Sequence, residues 1–290
     1  MENGERIDTQ RRSAASIRGV LQPKGRAPVS LEIASALITM LLFVGLNWRA
    51  NADDATNNPT AVTNTAARIR STFAEADARH KKEPASAEAA WQFARACFDL
   101  ADIAGSNSER AAIAEQGIAA CQQVIARQAG SAAAHYYLGM NLGQLAQTRG
   151  LGALKLVKQM EGEFTIAKDL DEHFDYAGPD RNLGLLYLGA PVLASIGSRS
   201  KARQHLKRAV ELAPEYPENR LNLIEAYSKW GDRHDATREL KALEEGWDAA
   251  RVQFAGEQWF SSWVDWEERL KKVKKKVEEP SKALEAPHKQ

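Results

Sequence analysis

The chain has 290 residues, of which 27% are charged and 44% hydrophobic, and a formal net charge of +1. Near-neutral charge excludes nucleic acid as the main ligand, because phosphate binding needs a concentrated surplus of Lys and Arg. Two cysteines, Cys97 and Cys121, are too few for a disulfide framework or a four-ligand zinc site.

The first distinctive segment is residues 33–46, IASALITMLLFVGL, which carries no charge from Ile33 to Leu46. A spanning helix needs roughly 20 apolar residues, so this run is short for one. Arg11, Arg12, Arg18, Lys24 and Arg26 precede it and Ala50-Asn51-Ala52 follows, which is the charged, apolar and small-residue order of a secretory signal peptide. Trp48 and Arg49 also suit the interfacial edge of a retained anchor. Residues 1–52 are therefore read as a signal peptide cut after Ala52 or as an N-terminal membrane anchor, with an ordinary hydrophobic helix as a third reading. The first two place the remainder in the periplasm or another extracytoplasmic space, in the second case tethered to the inner membrane. Losing residues 1–52 removes seven Lys/Arg and four Asp/Glu and takes the charge from +1 to −2. Residues 53–65, rich in Asn, Thr and Ala, read as a flexible spacer.

From residue 66 to 246 the sequence falls into about four irregular helical hairpins. The clearest register is 34 residues: Ala202, Leu206 and Ala209 are followed by Ala236, Leu240 and Leu243. Working back, the hairpins contain Trp91, Ala94 and Phe98 with Gly117, Cys121 and Val124, then His135-Tyr136-Tyr137-Leu138-Gly139 opening a helix that ends near Ala146. Next come Leu183-Gly184 and Tyr187 with Ala202 to Pro214, and last Pro217 to Gly231 with Ala236 to Leu243. Small residues at these places let two helices cross closely, and Pro214 and Pro217 stop one helix and start the next. The period is not uniform. Trp91 to His135 is 44 residues and Leu138 to Leu183 is 45, so the early units carry about ten extra residues. Such insertions map to loops or lengthened helices on one face.

The large residue, Leu-Gly and aromatic on a first helix, with Ala, Leu, Ala and Pro on a second, resemble the tetratricopeptide pattern. The fold class expected is all-α, a right-handed tetratricopeptide-like superhelix with a C-terminal amphipathic capping helix. Between Gly150 and Tyr227 the resemblance narrows. Gly178-Pro179-Asp180-Arg181, Leu183-Gly184-Leu185-Leu186-Tyr187, Ala190-Pro191 and Tyr216-Pro217-Glu218-Asn219-Arg220-Leu221 look like the T-component of TRAP-transporter-associated periplasmic tetratricopeptide proteins. A weaker similarity to the regulator of microtubule dynamics repeats extends over the same stretch, and the bacterial-type signal tips the reading toward the first. That resemblance implies a periplasmic scaffold which docks a solute-binding protein or helps deliver a ligand.

In tetratricopeptide proteins the first helix of each repeat lines the concave groove. This alignment puts Phe93, Tyr136, Tyr137, Met140, Arg181, Asn182, Leu185, Asn222, Glu225 and Lys229 there as candidate partner-binding residues. Aromatic anchors with a few hydrogen-bonding groups suit a protein or peptide laid in a groove. The alternative is a pocket enclosed by the repeats for a small hydrophobic ligand. Residues 247–279 carry Trp259, Trp263, Trp266, Leu270, Val273 and Val277 at helical spacing, the seam of a cap or of a coiled coil, with a lysine-rich surround from Lys271 to Lys276. Residues 280–290 read as a disordered tail. Cys97 and Cys121 fall on the two helices of the first hairpin, where they act as small apolar residues or join in an oxidising compartment. The six histidines are scattered without metal spacing, and no phosphate loop or nucleophile elbow is present. No enzyme activity and no cofactor are expected, and a homo-oligomer stays open.

Overall fold

The computed structural model describes residues 59–192 and 195–278, so the candidate signal or anchor, Ile33 to Leu46 included, and the 280–290 tail lie outside the described residues. Ten α-helices account for most of what is described, and among the described residues there is no strand. They are α1 (Pro59–Lys82), α2 (Ala87–Asp102), α3 (Asn107–Arg127), α4 (Ala132–Ala146), α5 (Ala153–Leu170), α6 (Phe174–Gly189), α7 (Arg199–Leu212), α8 (Pro217–Trp230), α9 (Arg233–Gln253) and α10 (Phe260–Glu278). Short 3₁₀ turns precede α5 and α10. Helices α2/α3, α4/α5, α6/α7 and α8/α9 are four antiparallel hairpins stacked in sequence order, flanked by α1 and α10. The fold is thus the expected tetratricopeptide-like helical repeat. Among the described residues no helix is long and apolar enough to cross a membrane.

Local chemistry sets the boundaries. Ser86, Ser106, Ser131 and Ser198 cap α2, α3, α4 and α7, each hydroxyl accepting from the backbone N–H three residues on. Pro217 occupies the first turn of α8, and Gly231 closes it in the left-handed conformation at φ 77°. Two boundaries differ from the sequence expectation. Helix α1 begins at Pro59, inside the stretch read as a spacer, and α9 runs through to Gln253, so the division expected at residue 246 falls within a helix.

The Leu-Gly pairs mark where the two helices of a hairpin touch. A Cβ on Gly139 would meet the Phe164 ring of α5 at 2.6 Å, and one on Gly184 would meet Leu206 of α7 at 2.7 Å. Phe164 and Leu206 are fully buried and have no space to retreat, so glycine is required at both crossings. The same logic makes Ala202, Ala209 and Ala236 core residues. Cys97 and Cys121 face each other's helices across the first hairpin as free, fully buried thiols, and burial pushes the Cys97 thiol up to about 12.

The ten extra residues of the early units become longer helices and one unusual connection. Helix α3 has 21 residues and α5 has 18, against 14 each for α7 and α8. Before Gly178, residues Asp175, Tyr176 and Ala177 form a single left-handed turn, with φ of 51°, 55° and 60°. The right-handed part of α6 starts only beyond it, with Pro179 in its first turn as expected.

Candidate functional site

Left-handed backbone costs about 1–2 kcal/mol for each residue bearing a Cβ, so three in a row need compensation. Arg181, one turn into the right-handed helix, supplies it. Its Nη1 donates to the carbonyls of Asp175 (3.1 Å) and Tyr176 (3.1 Å) and to Asn219 Oδ1 (3.2 Å). Its Nη2 donates to Asp175 Oδ2 (2.7 Å) and to Tyr136 Oη (3.3 Å). Glu218 lies 4.0 Å from its Nε, and its guanidinium stands over the Tyr216 ring. Hydrogen bonds from a charged donor contribute about 1.5–3 kcal/mol each, enough together to hold the turn. Tyr136 Oη in turn donates to Asp175 Oδ2 at 2.7 Å, and Asn219 Nδ2 donates to the Tyr176 carbonyl at 3.0 Å. Residues of α4, α6 and α8 are thereby tied to one guanidinium.

Electrostatics follow from this burial. Desolvation alone would lower the Arg181 pKa, but Tyr136, Glu218 and Asp175 outweigh it and raise the value well above the usual arginine range. Burial, reinforced by Asp175, raises the Tyr136 phenol, and burial with Glu218 beside it raises Tyr216. All three groups keep their ordinary protonation states at neutral pH.

This network forms the floor of a cleft of about 860 Å³. Its walls come from α1, from the first helix of each hairpin and from the start of α10. On one side Trp91 and Tyr137 stack, with ring planes 3° apart and centroids at 5.8 Å. Opposite, Tyr216 stacks on Tyr176 at 4.6 Å and meets Phe254, Trp259 and Trp266 edge-on. The ends of the solenoid meet at the cleft mouth, where Arg68 of α1 donates to the Glu257 carbonyl at 2.8 Å and to Ser261 Oγ at 2.9 Å.

Six of the residues expected in the groove line this cleft: Tyr136, Tyr137, Met140, Arg181, Asn182 and Leu185. Arg181 gives its Nη hydrogens to the floor, so its role here is to position rather than to contact. Asn182, only 6% exposed, donates both amide hydrogens internally, to Tyr136 Oη (2.9 Å) and to the Gly178 carbonyl (3.0 Å). The other four lie outside the lining. Phe93 is buried against α1, with Phe73 and His80 on its ring. Asn222 and Glu225 do lie on the inner face of α8, but α10 covers them. Arg269 of α10 donates to Asn222 Oδ1 at 2.6 Å and to both Glu225 oxygens at 2.8 and 2.9 Å. Lys229 is largely exposed but its amine reaches back to the Leu188 carbonyl at 3.4 Å, and the burial of that end lowers its pKa.

The tryptophan stripe therefore caps the array by filling the groove of the last hairpin. Trp266, Leu270, Val273 and Val277 are buried, while Trp263 donates its Nε1–H to the Phe254 carbonyl at 2.8 Å. The sequence reading did not single out Arg95 and Asp99, which share the inner face of α2 one turn apart. Arg95 is exposed in the cleft, and among the described residues neither it nor Asp99 has a hydrogen-bond or ion-pair partner. Burial pushes the Asp99 carboxyl up to about 6 against the pull of Arg95, with Asp102 and Asp175 adding to the rise. Asp265 on the far wall is pushed up to about 6 in the same way, against the pull of Arg269. Among the described residues no group of His, Cys, Asp and Glu could hold a metal ion.

Comparison with known proteins bears on the upstream half. Residues 53–173 match the family model described as regulator of microtubule dynamics protein 1-3. The match spans about two fifths of the chain, from before α1 through α5. It concerns the second of the two resemblances seen in the sequence and lies mostly upstream of Gly150–Tyr227. The crystal structure of TTC0263, a thermophilic TPR protein in Thermus thermophilus, is 22% identical, with 64% of this chain and 89% of that one covered at a TM-score of 0.49. The MamA protein structure is 16% identical, with 77% and 98% covered at a TM-score of 0.42. The comparison with curated proteins gives no match.

Two outcomes test the site. Replacing Arg181 with Met leaves Asp175 and two backbone carbonyls without their donor, and the expected loss of stability by urea denaturation is about 3–5 kcal/mol. A variant as stable as the wild type would mean that the turn is held by other contacts. For Asp99 the sign runs the other way. Its pKa rises from the usual 3.8 to about 6 on folding, so the folded state binds more protons between those values. Stability then falls as pH rises through that window, and the penalty is complete above it. Asp99→Asn is expected to exceed the wild type by about 1–3 kcal/mol near pH 7.5 and to lose that advantage near pH 4, in denaturation curves taken across the range.

Proposed function

We propose that the chain is a protein-interaction scaffold whose cleft receives an extended segment of a partner protein. The observation that carries this is the division of the inner face. Its downstream half is occupied by the chain's own α10, anchored through Arg269 on Asn222 and Glu225, while the upstream half stands open with Trp91, Tyr137 and Met140 in its wall. The first half is an internal instance of the face holding a peptide segment by aromatic packing and one charged clamp. Aromatic anchors that are buried on binding and preorganised by stacking suit the second half to the same task.

A second reading rests on the Arg68 contact. Because α1 meets the start of α10 there, the cleft is walled on both sides, and a small hydrophobic molecule is its alternative occupant. Panels of fluorescent ten-residue peptides, read by anisotropy, test the first. Binding at micromolar concentration is expected for a subset, weakened about tenfold or more by Trp91→Ala, since an aromatic anchor contributes about 2 kcal/mol or more. Mass spectrometry of material released from the purified protein tests the second. A stoichiometric lipid-like molecule together with no peptide binding would replace the scaffold reading.

The sequence around residues 33–52 supports placing the repeats outside the cytoplasmic membrane, either released after Ala52 or tethered. Service to a periplasmic solute-transport system, docking its solute-binding protein, is the narrower form of the proposal. N-terminal sequencing of the protein from its native membrane fraction and its surrounding compartment is expected to begin at Asp53. A start at Met1 in the membrane fraction makes the segment an anchor, and a start at Met1 in the cytosol removes the export reading.

A further inference from the structure

We propose that the open half of the cleft takes a basic side chain, a Lys or Arg of the partner's segment, seated at the Asp99 carboxylate on the side of the cleft that Tyr137 lines. The inference rests on the peptide reading above and specifies its chemistry. Of the described residues lining the cleft, six are Asp or Glu and four are Arg. Most of those carboxylates are already answered. Arg181 holds Asp175 and approaches Glu218, Arg269 meets Asp265 at 3.4 Å, and Arg110 stands 3.9 Å from Asp102 while donating to its carbonyl. Glu75 accepts from Ser71 at 2.9 Å. Asp99 stands apart, with no hydrogen-bond or ion-pair partner among the described residues.

A half-buried carboxylate without a partner is held at a cost in free energy, and an incoming cation reverses that cost. The Tyr137 side chain, close enough for the Asp99 charge to act on its phenol, adds a reason for a cation rather than a neutral donor. The faces of tryptophan and tyrosine carry negative potential and attract an ammonium or guanidinium within about 6 Å. An anion at Arg95 would lie beside Asp99 and in the field of Asp175, which acts on both residues. Arg95 is better suited to the uncharged carbonyls of an extended backbone, for which it offers five donors and no acceptor.

Asn182 gives independent support for a backbone in this place. It is more than nine-tenths buried and lines the cleft, with both amide hydrogens committed to Tyr136 and Gly178. Among the described residues no donor reaches its Oδ1. A peptide N–H would complete it, so one segment meets an acceptor at Asn182, a donor at Arg95 and a carboxylate at Asp99.

The test uses the full chain and three sets of ten-residue peptides that share their apolar positions and differ at one central residue, Lys or Arg, Gln, or Glu. The basic set is expected to bind about tenfold or more tightly than the Gln set, with the Glu set weakest. Asp99→Asn should bring the basic set to within about twofold of the Gln set, and it is expected to fold because removing the lone carboxylate relieves strain in the free protein. Circular dichroism of the variant confirms that state before binding is read. If the Gln set equals the basic set in the wild type, or if Asp99→Asn keeps the basic preference, this inference is wrong while the peptide reading stands. Preference for the Glu set assigns the site to Arg95 and overturns it equally. No binding by any set removes both.

Discussion

One buried guanidinium decides the geometry of the inner face. Arg181 neutralises Asp175, satisfies two carbonyls of a left-handed turn and reaches Tyr136 on the preceding hairpin and Asn219 on the following one. Without it, the backbone at the start of α6 would have no reason to leave the right-handed basin, which is cheaper at each of Asp175, Tyr176 and Ala177. With it, Tyr176 is turned onto Tyr216, and the aromatic wall of α8 and α10 has its first ring. Strain, charge and wall are one arrangement, and the strain sits beside the cleft.

The hairpins were legible because their determinants are local and periodic. Leu138-Gly139 and Leu183-Gly184 announce close crossings that the Phe164 and Leu206 contacts bear out, and Ala202 to Leu243 keep one register because both second helices pack the same way. The left-handed turn was not legible. It contains no Gly or Asn to signal positive φ, and it exists through an arginine four to six residues downstream and a tyrosine 39 residues upstream. Likewise, the stripe from Trp259 to Val277 predicts that α10 will cover something, but helical spacing carries no information about which face. Asn222 and Glu225 looked open for that reason and are closed by Arg269. Arg95 and Asp99 resemble an ordinary ion pair at i and i+4. Only the cleft shows that they face an open space and leave each other unbonded.

The inner face is thus divided between an occupied and a vacant half, with opposite electrostatic states. Where α10 lies, Arg269 is held well above the usual arginine range because Glu225 and Asp265 outweigh the burial that would lower it. Where nothing lies, Asp99 keeps a charge that burial opposes. The same kind of surface is stabilised by its ligand in one place and kept slightly unstable in the other, which is the condition for binding to gain free energy from charge as well as from apolar area.

The contact of Arg68 with Glu257 and Ser261 joins residues 189 and 193 positions apart. A solenoid is ordinarily a linear chain of nearest neighbours, so its end repeats fray first and each interface can open independently. Arg68 links the first helix of this line to the segment that opens the last. The contact adds one non-neighbour tie to the nearest-neighbour stacking of the repeats. A partner of the kind proposed would pass this contact on entering the cleft.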